Sequence, residues 1–224
     1  MSTFRQFFSS SIGTKILIAL TGLAFFGYLL IHLAGNLLIF AGADAFNGYA
    51  HTMTSNVLLP IIELGLAAIF LLHVFKAVTN WFGNAAARPK RYQDKHWAHH
   101  TSRKTWSSTT MIVTGSIIFA FTVLHIFQFR FGTYYEDPVH RYRDLYRIVV
   151  DLFANPVWVG VYVLVMALIG MHLRHGLSSA LQSLGIEHPQ YNQAVRVLGV
   201  VVAIVIAGGF AVIPIWIYFT GGRL

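Results

Sequence analysis

The sequence predicts an all-α integral membrane protein with five transmembrane helices, and three observations carry that expectation. Hydrophobic residues make up 56% of the 224 residues and charged residues only 11%, whereas water-soluble domains carry roughly 25% charged residues. Five apolar stretches, at about 14–40, 57–81, 107–130, 156–178 and 196–220, each reach the roughly 20 residues that cross about 30 Å of hydrocarbon. The Lys and Arg residues are unevenly shared between the connecting segments.

The first stretch is too long for a signal-peptide core and has no small-residue cleavage site, so it reads as a retained span. Pro60 and Pro156 stand at span starts, where proline is tolerated, and Pro214 is placed to kink the last helix. An odd number of spans puts the two termini on opposite sides. With the N-terminus inside, that side holds eleven basic residues: Arg5, Lys15, Lys76, Arg88, Lys90, Arg91, Lys95, Arg103, Lys104, Arg174 and Arg196. Five lie outside: Arg130, Arg141, Arg143, Arg147 and Arg223. The positive-inside rule therefore puts the N-terminus in the cytoplasm and the chain, as a multi-pass protein, in the inner (cytoplasmic) membrane. The 41–56 segment reads as a loop. The mixed segment 131–154, with Val149, Val150, Leu152 and Phe153, reads as a short helix on the outer membrane surface rather than a sixth span. No internal repeat stands out, and residues 1–224 read as one membrane domain.

Composition also excludes functions. With no cysteine, the chain has neither disulfides, thiolate-bound iron–sulfur clusters nor cysteine-ligated zinc. Any redox centre of its own must hang from histidine, methionine or a carboxylate. The net charge of +8 is accounted for by cytoplasmic loops, so nucleic acid is not an expected partner.

Four of the eleven histidines, His32, His73, His125 and His172, lie inside spans, one on each of the first four. An ionisable ring in hydrocarbon has to face the bundle interior or hold something. His32 stands eight residues before the outer end of its span, about 12 Å deep by helical rise, and His125 is also near an outer end. His73 and His172 lie toward inner ends. The first and third spans run parallel to each other, as do the second and fourth, so each pair can occupy one diagonal of a four-helix bundle. Each diagonal then offers two imidazoles at one depth, a donor set suited to a haem iron held from both faces. The expected core is a dihaem four-helix bundle. Gly35, Gly170 and Gly176 near the ligands would make room for flat rings, although glycine also serves ordinary helix contacts in membranes.

His175 follows His172 by one turn and is an alternative ligand. Arg174, His175, Lys76 and Arg130 are candidate partners for haem propionates, because cations bind carboxylates strongly; for each, snorkelling to the interface is the alternative.

The stretch SSSIGTKILIALTGLAFFGYLLIHLAGNLLIFAGADAFNGYA, with HLAGNLL around His32, resembles the opening of the cytochrome b558 family. These are the single-chain, five-helix, dihaem membrane anchors of succinate dehydrogenase (succinate:menaquinone oxidoreductase) and quinol:fumarate reductase. The resemblance runs along the whole chain, is most specific over residues 10–50, and weakens from about residue 180. It implies two haem b groups, a proximal one on His73 and His172 and a distal one on His32 and His125. It further implies a flavoprotein (FAD) subunit where succinate and fumarate interconvert, an iron–sulfur subunit, and menaquinone as the quinone. The oligomeric state of such a complex, and the direction of its reaction, stay open.

The loop 88–106 (RPKRYQDKHWAHHTSRKTW) reads either as a positive-inside loop with an aromatic belt or as the platform for the iron–sulfur subunit. His96, His99 and His100 form a weak zinc signal, lacking carboxylate or thiolate partners. Quinone chemistry needs hydrogen-bond donors and a proton source. Candidate contacts are Ser10, Ser11, Lys15 and Trp106 at the inner face, and Asn47 and His51 at the outer face. Glu63, the only carboxylate well within a span, is a candidate for proton handling near the distal haem, or else a protonated side chain bonded to a backbone carbonyl. The competing readings are the cytochrome b subunit of a nitrate reductase, formate dehydrogenase or hydrogenase, and a proton transporter lined by histidines. The first disagrees with the 10–50 stretch. The second needs discontinuous helices or repeat symmetry.

Overall fold

Hydrocarbon offers a backbone no hydrogen-bond partner but itself, so apolar runs of this length fold as helices. The computed structural model describes residues 6–8, 10–87, 106–186 and 188–222. Helix α1 (Ser11–Leu37) continues through a 3-10 turn, Leu38–Ala41, into α2 (Ala43–Thr54). Then follow α3 (Leu59–Ala86), α4 (Trp106–Phe129), α5 (Leu145–Phe153), α6 (Pro156–Ser183) and α7 (Asn192–Thr220). Five segments, Ser11–Ala41, Leu59–Ala86, Thr110–Phe129, Pro156–Ser183 and Asn192–Thr220, are long and apolar enough to cross a membrane. This is an all-α, multi-pass membrane protein. The starts are set by local chemistry: the Ser10 hydroxyl accepts from the Gly13 N–H at 3.0 Å. Asn155 caps α6 in the same way, with Pro156 in its first turn, where a missing N–H costs nothing.

Helix α1 packs against α3 and α6, and α4 packs against the same two. The first four spans therefore form a closed square whose diagonals are α1 with α4 and α3 with α6, as antiparallel neighbours joined in order require. Helix α7 lies outside the square against α6 and α1, with Pro214 buried along its length. Helix α3 has no buried residue at all; its outer face is aliphatic and exposed, suited to lipid.

One end of the bundle is closed by α2 and α5, and there the structure departs from the loop expected at 41–56. Gly42, at φ 94°, turns the chain sharply out of the 3-10 segment in a conformation that L side chains resist. Residues 43–54 then form a helix that buries Phe46 and Asn47. Gly48 and several polar residues conceal that helix in the sequence, and its tertiary packing overrides weak propensity. Helix α5 also differs. Its apolar face does not lie on lipid: Val149 and Phe153 join Ile39, Phe46, Tyr162, Val165, Met166, Ile213 and Ile217 in the main core.

Asn47 couples the two short helices. Its Nδ2 donates to Asp144 Oδ1 at 2.8 Å, and its Oδ1 accepts from the Tyr146 N–H at 2.8 Å. Asp144 in turn caps α5 by accepting from the Arg147 N–H at 3.0 Å. Asn47→Ala removes two bonds to half-buried partners, at a cost of about 1–3 kcal/mol. The expected outcome is a lowered thermal midpoint in detergent, and an unchanged midpoint would count against this clamp.

Candidate functional site

The four intramembrane histidines converge in two pairs at different levels of the square. At the capped end, His32 on α1 and His125 on α4 face each other across one diagonal, ring centroids 5.9 Å apart and ring planes perpendicular. Two imidazoles binding one metal from opposite sides need centroids about 6 Å apart, from two metal–nitrogen bonds of about 2 Å and roughly 1 Å from each nitrogen to its ring centre. The observed spacing meets that requirement. Tyr28 stacks on His32 at 5.4 Å, and Phe210 of α7 lies 5.5 Å away. Phe121 and Phe129 flank His125 at 5.6 and 5.0 Å. These rings exclude water and keep the pair in a low-dielectric setting.

The second ring nitrogen of His125 is also engaged. Its Nδ1 lies 3.4 Å from the hydroxyl of buried Tyr162, whose proton goes to Gln128 Oε1 at 2.5 Å. On His32, Asn36 Nδ2 donates to the backbone carbonyl at 2.8 Å and stands 3.4 and 3.5 Å from the two ring nitrogens.

At the other level, His73 on α3 and His172 on α6 occupy the second diagonal. Thr21 Oγ1 lies 2.9 Å from His73 Nδ1, and Thr114 Oγ1 lies 3.2 Å from His172 Nδ1. Glycines stand beside both rings. A Cβ at Gly22 would sit 3.4 Å from His73 Cε1, and one at Gly115 would sit 3.5 Å from His172 Cε1. A metal-binding histidine usually gives its other N–H to a carboxylate, a backbone carbonyl or water; here a threonine hydroxyl stands at each Nδ1 and leaves Nε2 for a metal, so these rings also fit the donor set a haem requires. The threonine contact falls on His172 rather than on His175, which is half-buried nearby.

Of the glycines expected to make room for a haem, Gly35 and Gly170 meet protein neighbours. A Cβ at Gly35 would strike the Tyr49 ring at 2.5 Å, so Gly35 admits the side chain of α2. A Cβ at Gly170 would meet Ala207 at 3.1 Å, an α6–α7 helix contact, and Gly176 faces open space.

The remaining candidates are dispersed. Arg130 forms a two-point ion pair with Glu63, Nε to Oε1 at 2.9 Å and Nη2 to Oε2 at 3.3 Å, joining α4 to α3. Glu63 thus meets a guanidinium rather than a backbone carbonyl. Lys76 donates to the Phe8 carbonyl at 3.1 Å and ties the segment before α1 to α3. Ser10 is a helix cap, Ser11 and Lys15 are exposed on the first turns of α1, and Arg174 is exposed on α6. Asn47 is consumed by the clamp. The side chain of Trp106 and loop residues 88–105, including His96, His99 and His100, lie outside the described residues. Among the described residues, no three His, Asp or Glu side chains gather as a metal cluster. No family model, curated protein or solved structure matches this chain.

Sequence reasoning missed Thr21, Thr114, Tyr162, Gln128, Tyr28 and Phe210. For the threonines a signal existed: Thr-Gly followed by a histidine at the same interval in two spans, LTGLAFFGYLLIH and VTGSIIFAFTVLH. The aromatic neighbours carry no such signal, since phenylalanine and tyrosine are spread through every span.

His51 stacks on Tyr142 at 4.7 Å, and Tyr142 on His140 at 5.1 Å, at the capped end. The turn beneath them is held by Asp137, which accepts from the His140 N–H at 2.7 Å and the Val139 N–H at 2.9 Å. The His140 N–H leads the contacts that hold the Asp137 carboxyl below the usual carboxylate range. A carboxylate with a depressed folded pKa stabilises above its unfolded value and loses that contribution as pH falls through the folded one. Exchange protection of the Val139 and His140 amides should therefore persist as pH drops through about 4, the ordinary Asp range. It should fail below that range, and Asp137→Ala should abolish it at every pH.

Proposed function

We propose that this chain is the dihaem cytochrome b membrane anchor of a succinate:menaquinone oxidoreductase or quinol:fumarate reductase, passing electrons between an iron–sulfur subunit and membrane quinone. The observation that carries the reading is the His32–His125 ring pair across one diagonal of the bundle, with His73 and His172 on the two helices of the other diagonal. The resemblance over residues 10–50 supports the choice among membrane cytochromes b. In this reading His73 and His172 bind the proximal haem b, and His32 and His125 the distal one. Haem held by two histidines supplies one-electron transfer without an open position for oxygen.

The rest of the work falls to the chain's own side chains. The pairs lie at two levels, so charge can traverse the bundle without moving parts. Tyr28, Phe121, Phe129 and Phe210 shut water away from the His32–His125 level. The ion pair of Glu63 and Arg130 places a carboxylate at the rim of the capped end, where it can handle protons for a quinone. The chain lies in the cytoplasmic membrane with its N-terminus inside, as its eleven inner basic residues favour. The loop 88–106 then faces the iron–sulfur subunit, with the flavoprotein beyond it.

Purified protein should show a b-type reduced-minus-oxidised spectrum and about two haems per chain by pyridine haemochrome, from its four ligands. A colourless preparation from haem-replete cells would overturn the reading. His73→Ala and His172→Ala should each remove one haem, and His32→Ala and His125→Ala the other. Loss of the same haem on changing His32 and His73 would refute the pairing.

A further inference from the structure

Helices α1 and α4 carry the same spacing: Thr21-Gly22 precedes His32, and Thr114-Gly115 precedes His125, eleven residues separating threonine from histidine in each. At 3.6 residues per turn, eleven residues return to within about 20° of the same face and advance about 16 Å. Each helix thus shows a histidine to the bundle interior at one level and a Thr-Gly pair at the other. The Thr-Gly pairs meet histidines from other helices. Thr21 and Gly22 abut His73 of α3, and Thr114 and Gly115 abut His172 of α6.

The hydroxyl protons decide which way these bonds run. Thr21 Oγ1 donates to the Leu17 carbonyl at 2.6 Å, with Ile18 O at 3.1 Å. Thr114 Oγ1 donates to the Thr110 or Met111 carbonyl at 3.1 or 3.2 Å. A hydroxyl has one proton, so where that proton goes to a carbonyl of its own helix the oxygen can only accept from the imidazole. The ring proton then sits on Nδ1, and Nε2 keeps its lone pair. Back-bonding of threonine to the preceding turn is common in membrane helices, but that bond alone would not bring a histidine nitrogen to the same oxygen on two separate helices.

We propose that Thr21 and Thr114 are positioning residues of the His73–His172 site: each accepts the Nδ1–H of its histidine and fixes the tautomer whose Nε2 is the iron-binding atom. This rests on the haem reading. The two outward spans thereby serve both sites, as ligand at one level and as orienting acceptor at the other. The His32–His125 site uses different chemistry, a tyrosine hydroxyl backed by a glutamine.

The test compares Thr21→Val and Thr114→Val, which keep the shape and remove the acceptor, with Thr21→Ser and Thr114→Ser, which restore it. In the full-length protein each valine variant should weaken retention of one haem by about 10–100-fold, as loss of an outer-shell partner typically does. It should also raise the reduction midpoint of that haem, because a less electron-rich imidazole favours the ferric state less. The other haem should keep its midpoint, and the serine variants should behave as wild type. Thr→Ala at either position should reproduce the valine result, so failure of one variant to assemble leaves a second reading. Wild-type haem content and midpoints in the valine and alanine variants would overturn the proposal, as would serine variants no better than valine. Ring nitrogen-15 shifts of the haem-free protein give a separate readout. They should report Nδ1–H on His73 and His172, lost in the valine variants, and an Nε2–H tautomer would overturn the assignment. A wild type that never takes up haem would refute the function proposed above, while those ring shifts would still decide the tautomer.

Discussion

In hydrocarbon a polar atom must find its partner within the protein, and the hydroxyls of Thr21 and Thr114 each answer for two groups at once. Each lies within hydrogen-bond reach of carbonyls of its own helix and of the Nδ1 of a histidine on a neighbouring one. The demand is acute because an unpaired buried polar group costs several kcal/mol away from water. Much of the interior follows from it. The threonines must face inward, and the histidines three turns further along the same helices must therefore face inward as well. Helices α3 and α6 must come close enough for their own histidines to reach, with glycine beside each ring.

The capped end obeys the same economy with other side chains. Tyr162 serves His125 and Gln128, and Asn47 serves both Asp144 and the backbone of α5. Core packing there is dense and aromatic, and α5 contributes to it rather than floating on the membrane surface. Helix α3 contrasts with this, being held mainly by α1, by the Glu63–Arg130 pair and by its contact with Phe8. A helix with one packed side and three lipid-facing sides is an economical fourth wall, since lipid solvates aliphatic side chains as well as a protein core does.

The proposed function draws on both ends. Its ligand pairs lie on different diagonals, so no helix supplies two ligands to one site. Helices α1 and α4 join the two levels mechanically.

The five spans, the absence of thiol chemistry, and the four histidines with their two depths were all legible in the sequence, because length, composition and helical rise are one-dimensional quantities. It also held the Thr-Gly spacing, which is visible once two spans are laid side by side. It did not determine that residues 43–54 form a helix, since that depends on burying Phe46 and Asn47 against a segment about a hundred residues away. Nor did it determine what Gly35 is for. Counted along α1, Gly35 lies one turn from His32 and invites the thought of a ring beside it; in space its missing Cβ is filled by Tyr49. Glu63 likewise gained its partner only when α3 and α4 came together. Depth along a helix follows from counting residues, whereas the identity of a neighbour across the bundle depends on how the helices are rotated and packed, which no count along the chain supplies.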